Sequence, residues 1–156
     1  SAASDVFKSQ EQNENMFIAA RGSHKRPPWL NILWESIERK ENMIYTSYFA
    51  MAHKIKDKDK LLSISLWPPK YIHIQWMPDL APTREILFRY KEDLDEEAYT
   101  KAYRAQVLDK LNVDKLAAYL QGRILLCYER PEAFCHRHIV AQWLNENGYD
   151  CEEIRF

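Results

Sequence analysis

The chain has 156 residues, 46% of them hydrophobic and 13% aromatic, which is enough for one buried core and too few for two comfortable ones. A formal net charge of −1 gives no broad basic field of the kind nonspecific nucleic-acid binding relies on, so any nucleic-acid contact is expected to be local. Three cysteines, an odd number with no secretory signal, argue for reduced thiols and a cytoplasmic protein, and no apolar run approaches the ~18 residues that span a bilayer.

Residues 1–28 are polar and aperiodic apart from MFIAA at 16–20. They read as an appended or tag-like leader, with Gly22–His24 resembling a cleavage scar, or as a native N-terminal extension. Under the leader reading Met43 is the natural start. Leu30, Leu33, Trp34 and Ile37 recur at helical spacing after Pro27-Pro28 and predict an amphipathic helix over 29–41. The expected division is therefore 1–42 as leader and 43–156 as a single α/β domain.

From Met43 the β-branched and aromatic runs at 43–49 and 61–67 predict two strands joined by the lysine-rich KIKDKDK. YIHIQW at 71–76 alternates but sits between prolines, so it reads as an edge strand or an irregular crossing. Helices are expected at 82–92, 95–110 and 113–121, the last ended by Gly122. A strand at 123–128, a helix over 134–146 and a last strand at 149–155 form a βαβ unit. The fold class is α/β, a Rossmann-like open and mostly parallel sheet of about four strands flanked by helices.

The block RILLCYERPEAFCHRHIVAQWLNENG, residues 123–148, is the part that points to a site. It reads as a buried strand, a turn with Pro131, and a helix whose first turn carries Cys135, His136, Arg137 and His138. Helix N-termini beyond the carboxyl ends of parallel strands are where open α/β sheets bind ligands, because free N–H groups and a partial positive charge face the crevice. A thiol in that position, beside a cation and histidines, has the surroundings that raise its thiolate fraction. Cys135 is thus a candidate nucleophile, with His136 or Glu129 for proton work. The competing reading is a core cysteine, one turn from Ile139, and Cys127 at the end of a buried strand reads the same way.

Cys127, Cys135, His136, His138 and Cys151 are residue types that can serve as zinc donors. Their spacing fits no standard module, and neighbouring helical residues such as Cys135 and His136 point about 100° apart, so no metal and no cofactor are expected. Nor is the spacing that of the Cys-x5-Arg loop of phosphatases and sulfurtransferases. Arg137 is expected to face the crevice as a bidentate grip for a phosphate or carboxylate, against the alternative of a surface ion pair with Glu129 or Glu132. His138 joins it as a ligand-binding candidate. Tyr45, Ser47 and Trp67, at the ends of the other strands, would face the same crevice in a parallel sheet, with Trp67 or Tyr48 available to stack on a flat group.

The Tyr45-Thr46-Ser47 strand end, the run into Leu66-Trp67-Pro68, and the LLCYE…CHR…WL block at 125–144 together resemble the family called domain of unknown function 488, small bacterial and phage α/β proteins. The resemblance spans 43–156 and is carried mainly by the CHR block. It implies a Rossmann-like sheet with a pocket and no general activity. Members usually have an Asp or Arg near the end of the second strand, where this chain reads Ser63-Ile64-Ser65-Leu66-Trp67. Two function classes follow: an enzyme acting on a nucleotide, nucleic acid or phosphorylated small molecule, or a noncatalytic ligand-sensing or protein-interaction module using the same pocket.

Overall fold

The computed structural model describes residues 27–156, so MFIAA, Gly22–His24 and most of the expected leader lie outside the described residues. The chain divides into two compact units between Arg39 and Lys40. Helix α1, Pro28–Asn42, begins in the first; it opens on a proline, whose missing N–H is harmless in the first turn, and buries Trp34.

The second unit is built on a five-stranded, all-parallel sheet: β1 Ile44–Tyr48, β2 Leu61–Ser63, β3 Gln75–Trp76, β4 Ile124–Cys127 and β5 Cys151–Glu153, in the order β3-β2-β4-β1-β5. This is one strand more than expected. The addition is β3, two residues of the YIHIQW segment pairing in parallel with β2 at the sheet edge. β2 stops at Ser63 instead of running to Trp67. Beyond it the Ile64 carbonyl receives the His136 ring and the Ser65 carbonyl receives the Trp76 indole, so side chains replace a strand ladder there. The terminal strands β4 and β5 of the expected βαβ unit are not neighbours, because β1 lies between them and pairs with both.

Period-two alternation divides the strand residues between two cores. Ile44, Leu62 and Leu125 belong to a large cluster with Ile86, Tyr103, Leu116, Val140 and Leu144 from the helices. Leu61, Ile124 and Leu126 belong to a smaller one with Phe49 and Ala52. β4 is buried at every position because it is central and covered on both faces.

Four helices follow β3: α2 Arg84–Asp93, α3 Glu96–Gln106, α4 Val113–Leu120 and α5 His136–Glu146. The first three have side-chain oxygens at their N-caps, from Thr83, Asp95 and Asn112, accepting the N–H of the residue three positions on. The predicted helix over 95–110 ends at Gln106, where Val107 leaves helical geometry (φ −115°, ψ −67°) before a short 3-10 turn over Leu108–Lys110. Gly122, at φ +71°, turns the chain from α4 into β4 and donates its N–H to the Met43 carbonyl, a conformation that costs other residues strain.

From the carboxyl end of β2 the chain leaves toward β3 on one side. From that of β4 it leaves through α5 toward β5 on the other. The crevice between β2 and β4 is therefore the switch point of the sheet, where open α/β folds hold ligands.

Candidate functional site

Cys127 is the last residue of β4, Cys135 is the N-cap of α5 and His136 is its first helical residue. Cys135 has extended backbone (φ −154°, ψ 143°), so the 100° divergence of helical neighbours does not apply. The expectation that Cys135 and His136 point apart is corrected: their side chains converge. Nε2 of His136 lies 2.8 Å from the Ile64 carbonyl oxygen. That oxygen only accepts, so in the neutral ring Nε2 carries the proton and Nδ1 presents a lone pair. Nδ1 is 3.7 Å from Cys127 Sγ and 3.9 Å from Cys135 Sγ, and the three atoms lie within 4.8 Å of one another.

The two thiols are electrostatically unequal. Cys135 is held well below the usual thiol range, chiefly by hydrogen bonding to Cys127, with His136 and the Arg137 N–H adding to this against the cost of burial. Cys127 is pushed well up, first by that same hydrogen bond and then by burial. The hydrogen bond between them therefore favours thiolate character at Cys135 and the protonated form at Cys127. Cys135 supplies no side-chain oxygen to cap α5, unlike the caps of α2, α3 and α4.

Above these groups opens a cavity of about 290 Å³ at the switch point. Cys127, Cys135 and His136 are on its floor, Ser65 and Trp67 come from the segment after β2, and Tyr128 and Glu129 from the segment after β4. Tyr90, Lys91, Tyr99 and Phe134 are among the residues of the wall. Tyr128 closes one side by donating its hydroxyl to the Trp67 carbonyl at 2.6 Å. Trp67 and Tyr128 are each 49% exposed and form an open aromatic rim.

Of the residues singled out from sequence, Cys135, His136, Glu129, Trp67 and Cys127 line this cavity; Arg137, His138, Tyr45 and Ser47 do not. Arg137, expected to face the crevice, is completely buried. Its Nε and Nη2 donate to the two carboxylate oxygens of Glu153 at 3.2 and 2.9 Å, and its Nη1 donates to the Glu129 carbonyl at 2.6 Å. The Thr46 hydroxyl also donates to Glu153. The ion pair weighed from sequence thus exists with a different acid, and buried: Glu153 replaces the surface partners Glu129 and Glu132. Tyr45 packs against the smaller core and Ser47 is aligned with Leu126 of that core, so strand alternation turns both from the α5 side. Nε2 of His138 is buried without a hydrogen-bond partner among the described residues.

Tyr90, Lys91, Tyr99 and Phe134 were missed as site residues. Tyr99 belongs to a regular apolar stripe, and nothing in that stripe distinguishes a core position from a cavity wall. The convergence of Cys127 and Cys135 follows from a relation legible in the sequence: a strand end and the start of the following helix are adjacent when the loop between them is short. Among the described residues, Cys127, Cys135 and His136 form a group of three metal-type donors, while Cys151 and His138 stand outside it. Three donors are one short of a closed tetrahedral site.

No described helix is long and apolar enough to cross a membrane. Comparison with curated proteins and with solved structures finds no match. A family model described as the active DUF488-N3 subclade matches residues 44–148, a span holding β1 to β4, the cavity and α5. On that match the chain belongs to the DUF488 family.

Proposed function

We propose that this protein is an enzyme that takes a nucleotide or a related phosphorylated molecule into the cavity between β2 and β4 and acts on it with Cys135 as nucleophile. The observation that carries the reading is the place of the Cys135 thiol, on the cavity floor beside both Cys127 and the Nδ1 of His136. Nucleophile, proton acceptor and orienting group are gathered there: Cys135, the Nδ1 lone pair of His136 facing both thiols, and the Ile64 carbonyl fixing the tautomer. The 3.9 Å separation is long for proton transfer, and such contacts commonly tighten when substrate binds. Glu129 at the mouth is the candidate acid or base for the leaving group.

Recognition in this reading comes from two kinds of wall. Trp67, Tyr128 and Phe134 offer faces for a flat group such as a nucleobase. Lys91 and the uncapped first turn of α5 offer positive charge to an anionic group. Arg137 acts as a positioning residue, holding the Glu129 carbonyl and β5 so that the loop before α5 delivers Cys135. The subclade's description as active agrees with a catalytic role.

Burial favours a second reading. With only 5% of Cys135 exposed, a noncatalytic ligand-sensing or interaction module would use the same walls without turnover. The experiment is alkylation of the native protein by iodoacetamide with and without adenosine mono- and diphosphates. Selective labelling of Cys135, slowed by nucleotide, is the expected result. Labelling of Cys135 as slow as that of Cys151, unaffected by any nucleotide, would sink the proposal. Nucleotide protection of Cys135 with no turnover of the nucleotide would leave the sensing module.

A further inference from the structure

The mechanism above uses Cys135 and leaves Cys127 idle, although it is a second thiol in the same group, 6% exposed and on the same cavity floor. A structural cysteine needs no sulfur partner, yet this one shares the Nδ1 of His136 with Cys135, and the two sulfurs are no more than 4.8 Å apart. Both flank one short connection, the strand end at Cys127 and the N-cap at Cys135. Cys135 is an N-cap with extended backbone, outside the regular helix, and a disulfide requires the sulfurs to close from that separation to about 2.05 Å. The third cysteine, Cys151, is buried in the larger core and outside this group.

We propose that Cys127 and Cys135 form a peroxide-responsive dithiol, in which Cys135 is the oxidised residue and Cys127 the resolving one. The inference rests on Cys135 being the reactive thiol of the site. A hydroperoxide enters through the cavity, and the Cys135 thiolate attacks its distal oxygen. The O–O bond breaks, the leaving oxygen takes a proton and departs as water or alcohol, and Cys135 becomes a sulfenic acid. The Cys127 sulfur then attacks that of Cys135. Its S–H proton passes by way of Nδ1 of His136 to the departing hydroxyl, so a disulfide and one water form. In sum two thiols lose two electrons and two protons to the peroxide. The disulfide removes the nucleophile from the cavity floor, and a thiol reductant restores it.

This chemistry also separates the roles of the two cysteines. Without Cys127, sulfenic acid at Cys135 has no neighbour to resolve it and proceeds to the irreversible sulfinic acid. Cys127 therefore protects the site from overoxidation.

The test treats the full chain with a small molar excess of hydrogen peroxide, followed by non-reducing peptide mapping and trapping with dimedone. The expected result is a species lighter by two hydrogens, in which the peptides of Cys127 and Cys135 are linked. Both thiols should be lost to alkylation while Cys151 is unchanged, with complete reversal by dithiothreitol. Cys127→Ser, which keeps a donor beside Cys135, should give dimedone adduct and sulfinic acid at Cys135 without a link, and Cys127→Ala, which removes that donor, should give the same products more slowly; using both guards against one failing to fold. Cys151→Ala should link as the wild type does. A link involving Cys151, or sulfinic acid at Cys135 in the wild type with no link, overturns the proposal. If Cys135 alkylates readily but does not link, only this inference falls. If Cys135 does not alkylate even after treatment with a chelator, the catalytic reading falls with it. Thiols that react only after chelation would assign the three donors to a metal ion and overturn the dithiol proposal.

Discussion

Arg137 and Glu153 form a two-pronged ion pair, with Nε and Nη2 of the guanidinium on the two carboxylate oxygens, although sixteen residues separate them. The arginine is wholly buried and Glu153 only slightly exposed. Burial opposes the charge on Arg137, but the Glu153 carboxylate and the nearby Cys135 and Cys127 sulfurs together raise the arginine's pKa. Removing one partner leaves the other as an uncompensated charge. Arg137→Ala should therefore lose about 3–5 kcal/mol of stability in urea unfolding. Arg137→Lys should recover only part, since an ammonium cannot reproduce the fork to both oxygens. A midpoint for Arg137→Ala equal to wild type would show that the pair does not hold α5 to β5.

His136 joins two tasks that a substitution can separate. His136→Ala should leave the buried Ile64 carbonyl without its donor and destabilise the fold by about 1–3 kcal/mol. In His136→Gln the side-chain amide can still donate to Ile64, while no lone pair of a ring nitrogen faces the thiols. That variant should keep most of the stability and slow the alkylation of Cys135 near neutral pH. Slowing in the alanine variant alone would tie the effect to folding and not to proton acceptance.

The three cysteines should separate by pH. Cys135, lowered, should label at pH values where an ordinary thiol is still protonated; Cys127 and Cys151, both raised, should lag behind it. Mass-resolved initial rates across a pH series measure this. Three coincident profiles would contradict the unequal hydrogen bonding of the Cys127–Cys135 pair.

Cys151 also sets a direction for alkaline stability. Burial, aided by Glu153 and Glu152, pushes its thiol up to about 12. A thiol whose folded pKa lies above its unfolded value, about 8.5, contributes fully below that value and loses the contribution as pH rises toward the folded one. Stability should fall across that interval. Cys151→Val, close in volume and unable to ionise, should flatten the fall in chemical-denaturation series. An unchanged slope would mean other groups govern it.

Lys91 tests recognition apart from chemistry. It lines the cavity but is not among the groups that shift the Cys135 thiol, so Lys91→Ala should leave Cys135 labelling in the free protein unchanged. Nucleotide protection should weaken about tenfold, the scale of one charge-assisted hydrogen bond. Full protection in the variant would put the anionic group elsewhere.

Much of this protein follows from order and pattern along the chain. The β-branched run at Ile44–Tyr48, the apolar ILLC of β4 and the strand–turn–helix around CHR each state an element and its buried face, because strand and helix periods are local properties. They also locate a site at the N-terminus of α5, since a short loop leaves the end of β4 and the start of α5 close together. What period cannot supply is a partner. That Arg137 is buried depended on Glu153, brought alongside by β5 pairing with β1 and not with β4. That Tyr45 and Ser47 turn from the cavity depended on which face of β1 the helices cover. The N-cap geometry of Cys135, which aims its sulfur at Cys127, depended on where α5 begins, a boundary that a single residue's shift would move. Local chemistry chose the elements and the reactive residue types. Long-range pairing decided which side chains meet, because the energy of a buried charge or a hydrogen bond resides in the second group as much as in the first.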